Sequence, residues 1–147
     1  MNLEISLIPF GHLGHVIPGL LPYLKKSEDW THGRAKVDDI LKFLVNGQMY
    51  LWLVFDKDDN TIYGHVITEV KEYPQLKVLV IQYCSGEAHH MKHVEDKMYN
   101  ILDQFAKDAD CAGIELYGRP GWGPHVRKYG YTTEMVVFSK FFEGDVS

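Results

Sequence analysis

LKVLVIQYCSGEAHHMKHVEDKMYNILDQFAKDADCAGIELYGRPGWGPHVRKYGY, residues 76–131, decides the fold. Val78, Leu79, Val80 and Ile81 stand in a row within Leu76–Cys84, the pattern of a strand covered on both faces and therefore central in its sheet. Ser85 and Gly86 break that run. Met91, Val94, Met98, Ile101, Leu102, Phe105 and Ala109 then recur every three or four residues, which places one apolar stripe along a helix. Cys111–Tyr117 reads as the next strand, so strand, crossover helix and strand form a right-handed βαβ unit with parallel strands. A loop that leaves a central strand and opens a helix aims backbone N–H groups at one point, where an anion such as phosphate is attracted.

Working outward to the N-terminus, Leu3, Ile5 and Leu7 alternate with polar residues in a strand over Asn2–Ile8. Pro9–Lys26 is nearly helical in period. Pro18 and Pro22 interrupt it, which predicts a kinked or two-part helix. Ser27–Arg34 reads as a polar loop. Val37, Ile40, Leu41 and Leu44 mark a short helix that Asn46 and Gly47 terminate. Met49–Phe55 and Thr61–Lys71, joined by the polar turn 56–60, predict an antiparallel hairpin. Beyond a short terminal helix, Tyr131–Phe142 carries Met135, Val136, Val137 and Phe138, which predicts a last strand. The whole is one α+β domain over residues 1–147, a mixed sheet of about six strands with flanking helices.

Composition excludes several classes. The 147 residues are 46% hydrophobic and 13% aromatic, enough for one solid core. The net charge of −5 comes from interspersed charges without a basic stripe, so nucleic acid is not an expected partner. No apolar run approaches the ~20 residues of a membrane helix, and the start MNLEISLIPF lacks the features of a secretion signal. The two cysteines, Cys84 and Cys111, fall inside predicted strands. Together these point to a soluble protein of a reducing, cytoplasmic compartment.

The element order resembles the GNAT superfamily of acyl-CoA N-acyltransferases over nearly the whole chain. Ile62-Tyr63-Gly64 resembles the start of that superfamily's third strand, and Lys128-Tyr129-Gly130-Tyr131 its closing motif before the last strand. Gly118-Arg119-Pro120-Gly121-Trp122, with Gly130-Tyr131 and Lys140, is similar to small GNAT-like proteins encoded by tailed bacteriophages. The resemblance implies acetyl-CoA as acyl donor, a primary amine as acceptor and no metal. It places the cofactor against Gln82, Cys84, Ser85, Gly86, Ala88, His90, Arg119 and Trp122. Its alternative implication is a GNAT-fold phage protein without catalysis, partnered with virion or other phage proteins in the host cytoplasm or the virion.

Departures from the pattern lie in the same stretch. Family members cradle the pyrophosphate with a loop of small residues. Here Ser85-Gly86-Glu87-Ala88-His89-His90 has one glycine, one alanine and an acid. Lys92 and any protonated His89, His90 or His93 would supply positive charge nearby. The tyrosine that many members use as acid would fall at Val126. Tyr129 lies near that place, as acid or as a core residue. Glu69 and Glu115 are candidate general bases, or ordinary strand residues facing solvent. Cys84 is either a nucleophile, its pKa lowered by the following helix N-terminus, or a small buried hydrophobe. Arg119 and Trp122 either grip a phosphate and cover a pantetheine chain, or serve packing and ion pairing. His89 and His93 sit one helical turn apart, a spacing that can bind metal, but without an H-E-x-x-H arrangement or evident third ligand.

Overall fold

The computed structural model describes residues 1–142, with the side chain of Pro120 left aside. The chain divides into two compact units, Met1–Leu116 and the segment from Tyr117 onward. In the first, β1 (Leu3–Leu7), β2 (Tyr50–Asp56), β3 (Ile62–Glu72), β4 (Lys77–Gly86) and β5 (Gly113–Leu116) form one sheet in the order β1-β2-β3-β4-β5. β1 to β4 pair antiparallel, whereas β4 and β5 pair parallel through Val78↔Gly113 to Ile81↔Leu116. β4 therefore lies inside the sheet, antiparallel to the hairpin and parallel to the crossover strand, as its apolar run dictates.

Helix α1 (Leu13–Trp30), preceded by a 3-10 turn at Phe10–His12, and helix α2 (Val37–Val45) cover one face. Leu20, Leu24 and Ile40 are fully buried there beside Leu51, Leu53 and Ile67. Each such side chain contributes about 1.5–3 kcal/mol by leaving water. The alternate residues of β2 point to the opposite face, where Trp52 meets Phe105 edge-on at 5.2 Å. Phe105 belongs to helix α4 (Glu95–Asp108), whose buried residues are Met98, Tyr99, Leu102 and Ala106. The crossover helix expected as one piece is two: a short helix, α3 (Ala88–His93), precedes α4, and the two are separated at the buried Val94.

Four further expectations change. The prolines do not divide the first helix: α1 runs unbroken through Pro18 and Pro22. The two missing N–H groups cost it two internal hydrogen bonds, and burial of Leu13, Leu20 and Leu24 along one side holds it to the sheet. Ser27–Arg34 is not all loop, because α1 continues to Trp30; Ser27 is buried there with its hydroxyl 3.1 Å from His65 Nε2. Ser85 and Gly86 extend β4 rather than ending it, since they pair with His65 and Gly64. The sheet has five strands, and Tyr131–Phe142 contributes none to it.

The second unit begins beyond β5. It contains a 3-10 turn at Pro120–Trp122 and helix α5 (Gly123–Arg127), whose Val126 is buried. Tyr129, Gly130 and Tyr131 close that turn by donating backbone N–H bonds to Val126 and Arg127 carbonyls. Met135, Val136, Val137 and Phe138 are exposed.

Candidate active site at the end of β4

β5 accompanies β4 only as far as Ile81. Gln82–Gly86 continue beside β3 with no strand on their other side among the described residues. The register to β3 also slips here, from Thr68↔Ile81 to Ile67↔Tyr83, so Gln82 is the additional residue of a β-bulge. A bulge bends its strand and raises local twist, which suits a sheet that opens at this row. The open flank presents backbone N–H and C=O groups of the strand to a ligand laid alongside it.

Past the bulge the strand is closed by a packed seam. Gly64 and Gly86 face each other across β3 and β4, and the Met91 thioether lies over both. A Cβ on Gly86 would meet Met91 Cγ and Sδ at 2.7 Å and the Tyr63 carbonyl at 2.8 Å; one on Gly64 would meet the Ser85 carbonyl at 2.8 Å. Gly86 is thus required by the protein's own packing.

The loop's amides are partly claimed. Glu87 N–H donates to the Tyr63 carbonyl at 2.8 Å, and the Glu87 carboxylate accepts from His89 N–H at 3.2 Å as the cap of α3. The same carboxylate faces His90 Nδ1, while the His90 ring stacks on Tyr63 with centroids 3.9 Å apart. Ala88 is exposed. Ser85 is buried, and its hydroxyl donates to the Tyr23 carbonyl at 2.8 Å, so only its backbone faces the loop.

Of the candidate bases, Glu69 comes together with Gln82: its carboxylate accepts from Gln82 Nε2 at 3.4 Å and from Gln48 Nε2 at 3.3 Å. Glu115 accepts from the Tyr73 hydroxyl at 2.9 Å. Glu69 and Glu115 flank Val80 in one cross-strand row, two strand spacings or roughly 9–10 Å apart. Burial pushes the Cys84 thiol up to about 12, opposite to the lowering expected from the helix N-terminus. The thiol stays protonated at neutral pH and is no ready nucleophile. Arg119, Trp122 and Tyr129 belong to the second unit. Arg119 is exposed there, and Trp122 and Tyr129 are half-buried, with Lys128 Nζ 5.1 Å from the Tyr129 ring centroid.

The sequence reading missed a buried polar cluster below the seam. Tyr23 donates to the Ile62 carbonyl at 3.2 Å, and Ser27 meets the fully buried His65. Desolvation lowers the His65 pKa to about 4, with the Tyr23 backbone opposing it in part. A histidine inside the apolar run of β3 was the available signal.

No protein-family model matches the sequence. No curated protein matches it. Solved structures do resemble the fold. A Trypanosoma brucei acetyltransferase superposes with a TM-score of 0.69 at 11% identity, covering 96% of this chain and 100% of its own. A predicted acetyltransferase from Clostridium acetobutylicum, solved with acetyl-CoA, gives 0.67 at 13% identity, with 95% and 96% covered. A GNAT family acetyltransferase from Staphylococcus aureus gives 0.66 at 15%, with 97% and 100% covered. The chain therefore has the mixed-sheet fold found in GNAT acetyltransferases.

Proposed function

We propose that residues 1–147 act as one acyl-CoA-dependent N-acyltransferase domain that moves an acetyl group from acetyl-CoA to a primary amine. The observation that carries this reading is the bulged, half-paired end of β4, on a fold shared with acetyltransferases. The open backbone of Gln82–Gly86 suits the amide-rich pantetheine arm, and a strand N–H there would polarise the thioester carbonyl. Ala88 and His90 are the further residues of this unit read as cofactor contacts. The phosphate end fits less well, because Glu87 places a carboxylate on the loop amide that an anion would otherwise use.

In the reaction the amine nitrogen attacks the thioester carbon, the C–S bond breaks, and the amine proton passes to a base. Glu69 is the favoured base, since Gln82 ties it to the bulge, and Glu115 is the alternative. A reducing, cytoplasmic setting suits this activity, and Cys84 and Cys111 are both free thiols. The engaged Glu87 favours a second reading, a GNAT-fold protein without catalysis that serves phage or virion proteins by interaction.

Thermal melting with acetyl-CoA separates the two. A ligand at ~100 times its dissociation constant stabilises the folded state by about 2.7 kcal/mol, an easily measured shift. Glu87→Ala removes the competing charge and should enlarge the shift, although loss of the cap lowers the unliganded melting point. If millimolar acetyl-CoA moves the melting point of neither protein, the enzyme reading fails.

A further inference from the structure

Helix α3 turns two imidazoles toward each other. His89 and His93 are exposed, one turn apart, with rings at 85° and centroids 4.6 Å apart. Their Nε2 atoms are 3.3 Å from one another. Two nitrogens bound to a tetrahedral ion at about 2.0–2.1 Å lie roughly 3.3–3.4 Å apart, so the pair already has the bite of such an ion. Facing Nε2 atoms otherwise form one N–H···N bond, which needs opposite tautomers on the two rings.

We propose that His89 and His93 form a surface chelate for a divalent transition ion of the imidazole-binding class, zinc, nickel or copper. Both Nε2 lone pairs ligate, and each ring keeps its proton on Nδ1. Among the described residues no group of three His, Cys, Asp or Glu side chains converges on one point. Water therefore completes the coordination, and the ion stays exchangeable. Because the ligands span one turn, the ion also clamps α3 in its helical form.

Isothermal titration of the full chain with zinc chloride, and separately nickel chloride, tests this. One ion per chain is expected. His89→Ala and His93→Ala should each weaken binding on the order of a hundredfold, because the second imidazole binds intramolecularly. Lys92→Ala on the same helix should bind as the parent does. With copper, electron paramagnetic resonance should show two imidazole nitrogens in the parent and one in either single variant. No binding at millimolar metal, unchanged affinity in both histidine variants, or a copper spectrum unaffected by them would overturn the proposal.

Discussion

Acidification should expose the cost of burying His65. The imidazole is fully buried, meets the Ser27 hydroxyl through Nε2, and among the described residues leaves Nδ1 without a hydrogen-bond partner of good geometry, although the Tyr23 backbone lies close enough to offset part of the desolvation. Its pKa is about 4 in the folded protein, against 6.5 for an unperturbed histidine. Between those values the unfolded chain binds the proton and the folded chain does not, so stability rises with pH across that window. The contribution is complete above pH 6.5 and is lost as pH falls toward 4. The gap of about 2.5 units corresponds to about 3 kcal/mol, of which about 2.5 kcal/mol is gone by pH 4.5. Urea unfolding at pH 7, 6, 5 and 4.5 should show the midpoint fall by roughly 1–2 M. Glu28 and Asp59 are also held below the ordinary carboxyl range, chiefly by the Val37 and Thr61 backbone N–H groups. Their loss begins only near their unfolded values of 4.5 and 3.8, which leaves the upper window to histidine. The double variant Ser27→Ala/His65→Leu removes both partners together, so it should fold and lose most of the slope. A parent protein with flat stability from pH 6.5 to 4.5, or a double variant with an unchanged slope, would refute the reasoning.

Other outcomes are expected elsewhere. Met98→Asp or Phe105→Asp should unfold the protein by burying an unpaired charge under α4, whereas exposed Lys107→Ala should change stability by a few tenths of a kcal/mol in urea melts. Lys97→Ala should cost at most about 1 kcal/mol, because its ammonium makes a surface ion pair with Glu4 at 3.6 Å. Gly86→Val should destabilise the unliganded protein by several kcal/mol, since the backbone carbonyl of Tyr63 cannot retreat; near-parental melting would mean that the seam is looser than described. Trp52→Phe should cost about 2–3 kcal/mol in the same assay, by orphaning the buried Thr68 hydroxyl that accepts from the indole at 3.0 Å. Alkylation of Cys84 at pH 8 should be far slower in the folded than in the urea-unfolded protein, because so little of it is thiolate.

What could be read from the residues was whatever local periodicity controls. The Val78–Ile81 run and the turn between β2 and β3 have their elements within a residue or two of expectation, whereas the stripe from Met91 to Phe105 marks the right apolar face but not the break at Val94 that divides the helix into α3 and α4. The misreadings involve partners distant in sequence. Pro18 and Pro22 argue locally for a break, yet α1 stays whole against β3 and β4, strands that lie much later in the chain. Ser27 looks like loop until His65 is placed beside it. At the candidate site, Glu69 and Gln82 were legible as polar residues in strands, but their pairing depends on a bulge that no composition reveals. Gly86 reads as a break, whereas it lies within β4, paired with Gly64 and packed under Met91. The strand expected over Tyr131–Phe142 had the right residues, but propensity alone supplies no ladder partner.

The half-paired stretch of β4 has a consequence in time as well as in space. Successive N–H groups along a strand point to opposite edges, so between Tyr83 and Gly86 alternate amides face β3 and the flank without a strand. Hydrogen exchange there should alternate along the chain, slow for amides locked to β3 and fast for their neighbours, whereas Val78–Ile81, paired on both sides, should be uniformly slow. A molecule laid along the open edge would erase that alternation without moving the strand.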